Sequence, residues 1–239
     1  KKLDRLMAAN AQNGHVPHML IDRFRFDSFQ PVSERPADSN LLTRFGSKIY
    51  MFFMVTPPSE TVKRAWSRGL STGRYKAVDD LLFHNIEAYT GMPDLFFAWA
   101  KAQEKWVHYE FLDNSVALGE IPRTIAYGQN GALVIIDVEA MCNIERYRHV
   151  NVDATRPEDI LEPSSDPTSF LRTCCKFLPK VDFTVPGSPE IYARFEAGKA
   201  SINPDLIPET TPPGLFENAI INHDLGTSSA DQTTETIGA

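Results

Sequence analysis

SKIYMFFMVTPPSETVKRAWSRGLSTGRYKAVDDLLFHNIEAY, residues 47 to 89, reads as a strand, a turn and two helices in that order. The unbroken apolar run from Ile49 to Val55 is expected to be a buried strand. It stops at Thr56-Pro57-Pro58, and a helix signal follows at once, with Ser59 as N-cap and Glu60 in the first turn. That helix carries Lys63, Arg64 and Arg68; Gly69 and Gly73 then loosen the chain around Arg74 and Lys76, and a second apolar periodicity starts at Val78. Five cations thus fall within fourteen residues on the C-terminal side of a strand, where open α/β sheets bind ligands. The expectation is a lid that handles an anion, with phosphate the best fit.

Toward the N-terminus, Lys1 to Asn13 has helical spacing at Leu3, Leu6 and Met7, and Gly14 is a stop. Because the chain opens inside this periodicity without a methionine, a preceding segment is expected. His18 to Asp22 is short, apolar and ended by a carboxylate, as a parallel strand delivers an acid to the top of a sheet. Asp22 is therefore a site candidate, with the capping of a turn as its plainer role. Arg23-Phe24-Arg25-Phe26-Asp27-Ser28-Phe29 alternates charge and aromatic, which suits a half-exposed strand or a loop whose Arg23, Arg25 and Asp27 meet substrate. Gln30 to Asn40 reads as a surface loop and Leu41 to Phe45 as a short helix.

Beyond the two helices, Arg64 and Arg68 share one helical face, and a solvated basic surface is the alternative to a ligand role. Arg74 sits between Gly73 and Tyr75 in the joint, where an arginine could close over a transferring phosphate. His84 lies within the second helix, as a substrate contact or a packing residue. Gly91 and Pro93 are expected to separate it from another helix, Asp94 to Trp106. A strand ends at Asp113-Asn114, and Arg123 to Tyr127 with Ala132 to Ile136 form a hairpin around Asn130-Gly131. Asp137 opens a helix to Arg146. Short helices are expected at Pro157 to Leu161, Thr168 to Phe177 and Ser188 to about Ala200. Asn203 onward is proline-rich, then Ser/Thr-rich.

At 239 residues, with 42% hydrophobic and 10% aromatic, the chain can build a real core. A net charge of −7 argues against general nucleic-acid binding, which needs a basic footprint over a whole face. No apolar run reaches the ~20 residues of a membrane span. Cys142, Cys174 and Cys175 fit neither a metal-ligand spacing nor a disulfide framework, so a reducing cytoplasmic setting is the default.

Phosphoryl transfer needs positive charge on the transferring group and a carboxylate at the acceptor. Arg64, Arg68, Arg74 and Lys76 offer the first, and Asp22 or Asp27 the second. No G-x-x-x-x-G-K-[ST] occurs, so the backbone phosphate cradle is not in these residues. A metal hydrolase or nuclease using Asp22, Asp27 and His84 would need ligands at a spacing that matches no metal motif.

Val55-Thr56-Pro57-Pro58-Ser59-Glu60-Thr61-Val62-Lys63-Arg64-Ala65-Trp66, with Gly73-Arg74-Tyr75-Lys76 downstream, resembles the second half of zeta-toxin family P-loop kinases. The resemblance covers roughly Lys1 to Asp137 and implies that the Walker A strand and helix precede Lys1. It implies an α/β fold: a partial P-loop kinase-like parallel sheet with flanking helices and a closing β-hairpin in 1–149, a helical extension in 150–203, and a disordered tail in 204–239. By position, Arg74 resembles one lid arginine that contacts ATP phosphates, and Arg64 or Arg68 the other. Asp22 falls where the family has an acidic residue near the acceptor, an aspartate here in place of glutamate. The resemblance further implies ATP and Mg2+ as cofactors, a UDP-N-acetyl sugar or related sugar nucleotide as substrate, and an antitoxin as protein partner. The alternative is a non-catalytic binding module derived from that fold.

Overall fold

The computed structural model describes residues 2–14, 18–22, 42, 48–102, 104–164 and 166–216. Its frame is a seven-stranded sheet in sequential order: β1 (Lys48–Val55), β2 (Trp106–Asp113), β3 (Arg123–Gln129), β4 (Ala132–Ile135), β5 (Lys180–Thr184), β6 (Ile191–Glu196) and β7 (Lys199–Ile202). β1 and β2 are parallel, as are β4 and β5, and the other four pairings are antiparallel. The fold is α/β as expected, with a mixed rather than a parallel sheet. Each parallel pair is joined by two helices, α2 (Pro58–Thr72) and α3 (Val78–Ala100) for the first, α4 (Val138–Arg146) and α5 (Ser169–Phe177) for the second. A further helix, α1 (Lys2–Gln12), precedes them.

β1 alternates strictly. Ile49, Met51, Phe53 and Val55 enter the core, while Tyr50, Phe52 and Met54 stand exposed on the other face. The unbroken apolar run suggests a strand buried on both faces, whereas the described residues cover only one. The hairpin turns where expected, with Asn130 and Gly131 both at positive φ (48° and 87°), the pair of a type I′ turn. A Cβ on Gly131 would lie 2.9 Å from the Pro179 ring.

Several expectations give way to packing. His18 to Asp22 joins no strand, and Leu20 is 96% exposed. Helix α2 starts on Pro58 without a side-chain cap, so Ser59 is inside it. Gly91 and Pro93 do not end α3, because Tyr89, Met92, Leu95, Phe96 and Trp99 form one buried stripe whose burial outweighs the backbone bond that proline removes. Pro157 to Asp159 is a single 3-10 turn. The helix expected over 188–200 is the β6–β7 hairpin: Ser188-Pro189 belongs to the turn after β5, Tyr192 and Ala193 are buried against β5, and Ala197-Gly198 is a two-residue turn at positive φ. The sheet therefore continues past residue 149. Leu215 and Phe216, expected in a disordered tail, pack into the core, with Phe216 stacked on Phe195. The surface loop expected at Gln30 to Asn40, the helix expected at Leu41 to Phe45 apart from Leu42, and residues 217–239 lie outside the described residues.

The vertical placement of α3 positions the site. Its last residue, Ala100, lies beside Gly131 at the β3–β4 turn, and its Phe96 packs on Phe53 and Phe111. At Tyr89 it reaches Thr56, which follows β1 directly. From Tyr89 back to Val78 it therefore extends roughly 16 Å beyond the sheet's carboxyl-terminal rim. Helix α2 rises from that rim beside it, burying only Pro58, Ala65 and Gly69.

Candidate functional site

The α2–α3 hairpin thus forms a projection whose tip is the expected basic joint. Gly73, left-handed at φ 73°, stops α2 and returns its N–H to the Gly69 carbonyl at 2.8 Å. The chain then folds Tyr75 back over Gly69, where a Cβ would lie 2.4 Å from the ring, and onto Trp66, with ring centroids 5.6 Å apart. This fold-back holds Arg74 and Lys76 out from the joint, and Arg68 is exposed one turn below. Among the described residues, the side chains of Arg68 and Arg74 have neither hydrogen bond nor ion pair. Lys63 differs, being paired with Glu60 at 2.6 Å.

Arg64 is differently employed. Its guanidinium donates to the carbonyls of Asn114 and Val116, both at 2.8 Å, tying α2 to the loop after β2. His84 Nδ1 lies 3.2 Å from Lys76 Nζ and 2.5 Å from the Asp80 carbonyl. In either tautomer it holds one of these, accepting from the ammonium or donating to the carbonyl.

Below the tip, the rim of the sheet is a polar network. Tyr89 Oη accepts from the Thr56 N–H and donates to the Thr56 carbonyl, and Asn114 Nδ2 donates to Thr56 Oγ1 at 3.1 Å. Burial pushes the Tyr89 hydroxyl pKa far up, and that of Tyr147 to about 12. Arg123 bridges Asp113 at 3.1 Å and Asp137 at 2.7 Å, linking the ends of β2 and β4. Burial works against the charge of Asp113, but hydrogen bonds from Ser115 and Arg123 outweigh it and hold the carboxyl below its usual range. Asp137 also caps α4 through the Ala140 N–H at 2.9 Å.

Of the residues singled out from sequence, Arg64, Arg68, Arg74, Lys76 and His84 share the hairpin. Asp22 is exposed and is not delivered to the rim by a strand. Arg23, Arg25 and Asp27 lie outside the described residues. The rim set of Tyr89, Asp113, Arg123 and Asp137 escaped sequence reasoning; the signal was there in two strand ends carrying Asp and a strand start carrying Arg.

The residues present do not fit the whole of a nucleotide and its metal. The basic tip suits phosphate oxygens, but the chain has no glycine-rich cradle, and among the described residues no His, Cys, Asp and Glu group could hold a metal ion. Among them, no helix is long and apolar enough to cross a membrane. Comparison with protein-family models, curated proteins and solved structures gives no match.

Proposed function

We propose that this chain is the acceptor-and-lid portion of an ATP-dependent phosphotransferase of the zeta-toxin type, acting on a small molecule such as a UDP-N-acetyl sugar in the cytoplasm. The observation that carries the reading is the placement of Arg68 and Arg74, exposed and, among the described residues, without a carboxylate partner, on a hairpin that stands over the carboxyl-terminal rim of a parallel strand pair. Preorganised cations at such a rim stabilise charge on a transferring phosphoryl group. In this role Arg64 is a positioning residue, since carbonyls already occupy its guanidinium. The phosphate cradle and the metal site would come from polypeptide other than these residues, and an antitoxin would be the expected protein partner.

A non-catalytic binding module is the second reading, favoured by the missing cradle. The two separate in one experiment: ATP consumption with UDP-N-acetylglucosamine, using the whole polypeptide that contains this chain. The kinase reading expects turnover that falls at least about 100-fold in Arg74→Ala. Turnover unchanged by Arg74→Ala, or none at all, moves the assignment to the binding module.

A further inference from the structure

Among the described residues, the buried apolar side chains form two main groups that do not join. The larger follows the sheet's inner face, the second half of α3, α4 and α5. The smaller is Leu82, Val150 and Ile160, with Val62, Ile86, Val152 and Ala154 packed on it. Its members come from α2, from the first half of α3, and from the arm 150–161 that follows α4. The arm is closed on itself by the Val150–Leu161 bridge and by the Asn151 N–H donating to the Ile160 carbonyl at 2.9 Å.

We infer that α2, residues 78–88 of α3 and the arm 150–161 form a cap with its own core, which opens and closes on the sheet rim as one unit. The inference adds a conformational control to the proposed site, and it rests on that reading only for what the cap closes over.

The connections to the main body support this. Chain links cross the boundary at Thr56-Pro57-Pro58, at Gly91-Met92-Pro93 in α3, and at His149 and Glu162-Pro163 on either side of the arm. Pro93 has no N–H to offer the Tyr89 carbonyl, so the backbone ladder of α3 is weakest where the helix passes the rim. Beyond these links, hydrogen bonds among the described residues that cross the boundary include Arg64 to the Asn114 and Val116 carbonyls and Asn85 Nδ2 to the Tyr147 carbonyl at 3.1 Å. Sub-global opening follows such breaks in apolar packing, because separating two cores exposes less surface than splitting one. The arm is therefore part of the lid, although 70 residues of chain separate Leu82 from its neighbours near Val152.

Hydrogen exchange followed by mass spectrometry tests this on the chain itself. In the unmodified chain, α2, 78–88 and 150–161 should exchange together and faster than β2 to β5. Leu82→Ala should accelerate all three on the order of 100-fold while the strands keep their rates. Ile160→Val, which removes one methyl from the arm, should accelerate α2 and 78–88 as well, and it serves if Leu82→Ala unfolds the chain. Acceleration confined to the substituted segment, or spread equally over the strands, overturns the cap. Inorganic pyrophosphate should slow all three segments; slowing of none, with co-variation intact, overturns the anion reading and leaves the cap standing.

Discussion

The hydroxyl of Tyr89 accepts from the Thr56 N–H at 2.7 Å and donates to the Thr56 carbonyl at 3.0 Å, so one side chain of α3 satisfies both backbone groups of the residue that follows β1. Tyr89→Phe keeps the ring in place and removes both bonds. Stranding two half-buried backbone groups should cost about 1–3 kcal/mol, read as a shift in the urea midpoint. A shift indistinguishable from zero would mean that water replaces the hydroxyl, and the rim would then be wetter than its burial indicates.

The Tyr75 fold-back makes a separate claim about the basic tip. Gly69→Ala improves helix propensity by up to ~1 kcal/mol, yet its Cβ would strike the Tyr75 ring. Tyr75 is 58% exposed and free to swing outward, so stability should change by no more than about 1 kcal/mol. What should change is the joint: Trp66 fluorescence shifts as Tyr75 leaves, and pyrophosphate binds several-fold more weakly. Unaltered fluorescence with unaltered binding would show that the fold-back does not hold the arginines.

The two ends of the chain show why one part was legible and another was not. The β1–α2–α3 order, the Asn130-Gly131 turn and the Asp137 start of α4 follow from local signals that tertiary packing leaves in place. Ser188-Pro189-Glu190 carries an equally good helix signal, but the pairing of the next residues with β5, which buries Tyr192 and Ala193, outweighs it. The basic joint could be found because its cations are close in sequence. The Asp113–Arg123–Asp137 bridge was legible only as separate strand ends, because the sheet is what brings its three members together.

That bridge gives a pH dependence with a definite sign. The Asp113 carboxyl is held below its ordinary range, so its contribution to stability is full above the unfolded value of about 4 and is lost as pH falls through the lower folded value. Arg123→Met should therefore destabilise the chain by about 1 kcal/mol at pH 7, a figure reduced by the 55% exposure of the arginine. The difference from the unmodified chain should shrink below pH 4. Thermal unfolding of both proteins between pH 2.5 and 7 measures it, and a difference that widens in acid would contradict the charge assignment.

The two faces of β1 provide the last test, because neighbouring phenylalanines have opposite environments. Phe53 is 4% exposed and stacks on Phe111 with centroids 4.9 Å apart, whereas Phe52 is 53% exposed on the uncovered face. Phe53→Ala should cost about 3–5 kcal/mol, since it leaves a cavity between α3 and the sheet. Phe52→Ser should stay within about 0.5 kcal/mol in dilute solution. Guanidinium unfolding at several protein concentrations separates the cases. Should Phe52→Ser destabilise the chain as much as Phe53→Ala, independently of concentration, β1 is covered on both faces within a single chain. That result would restore the doubly buried strand which the apolar run suggested and place additional polypeptide against Tyr50, Phe52 and Met54.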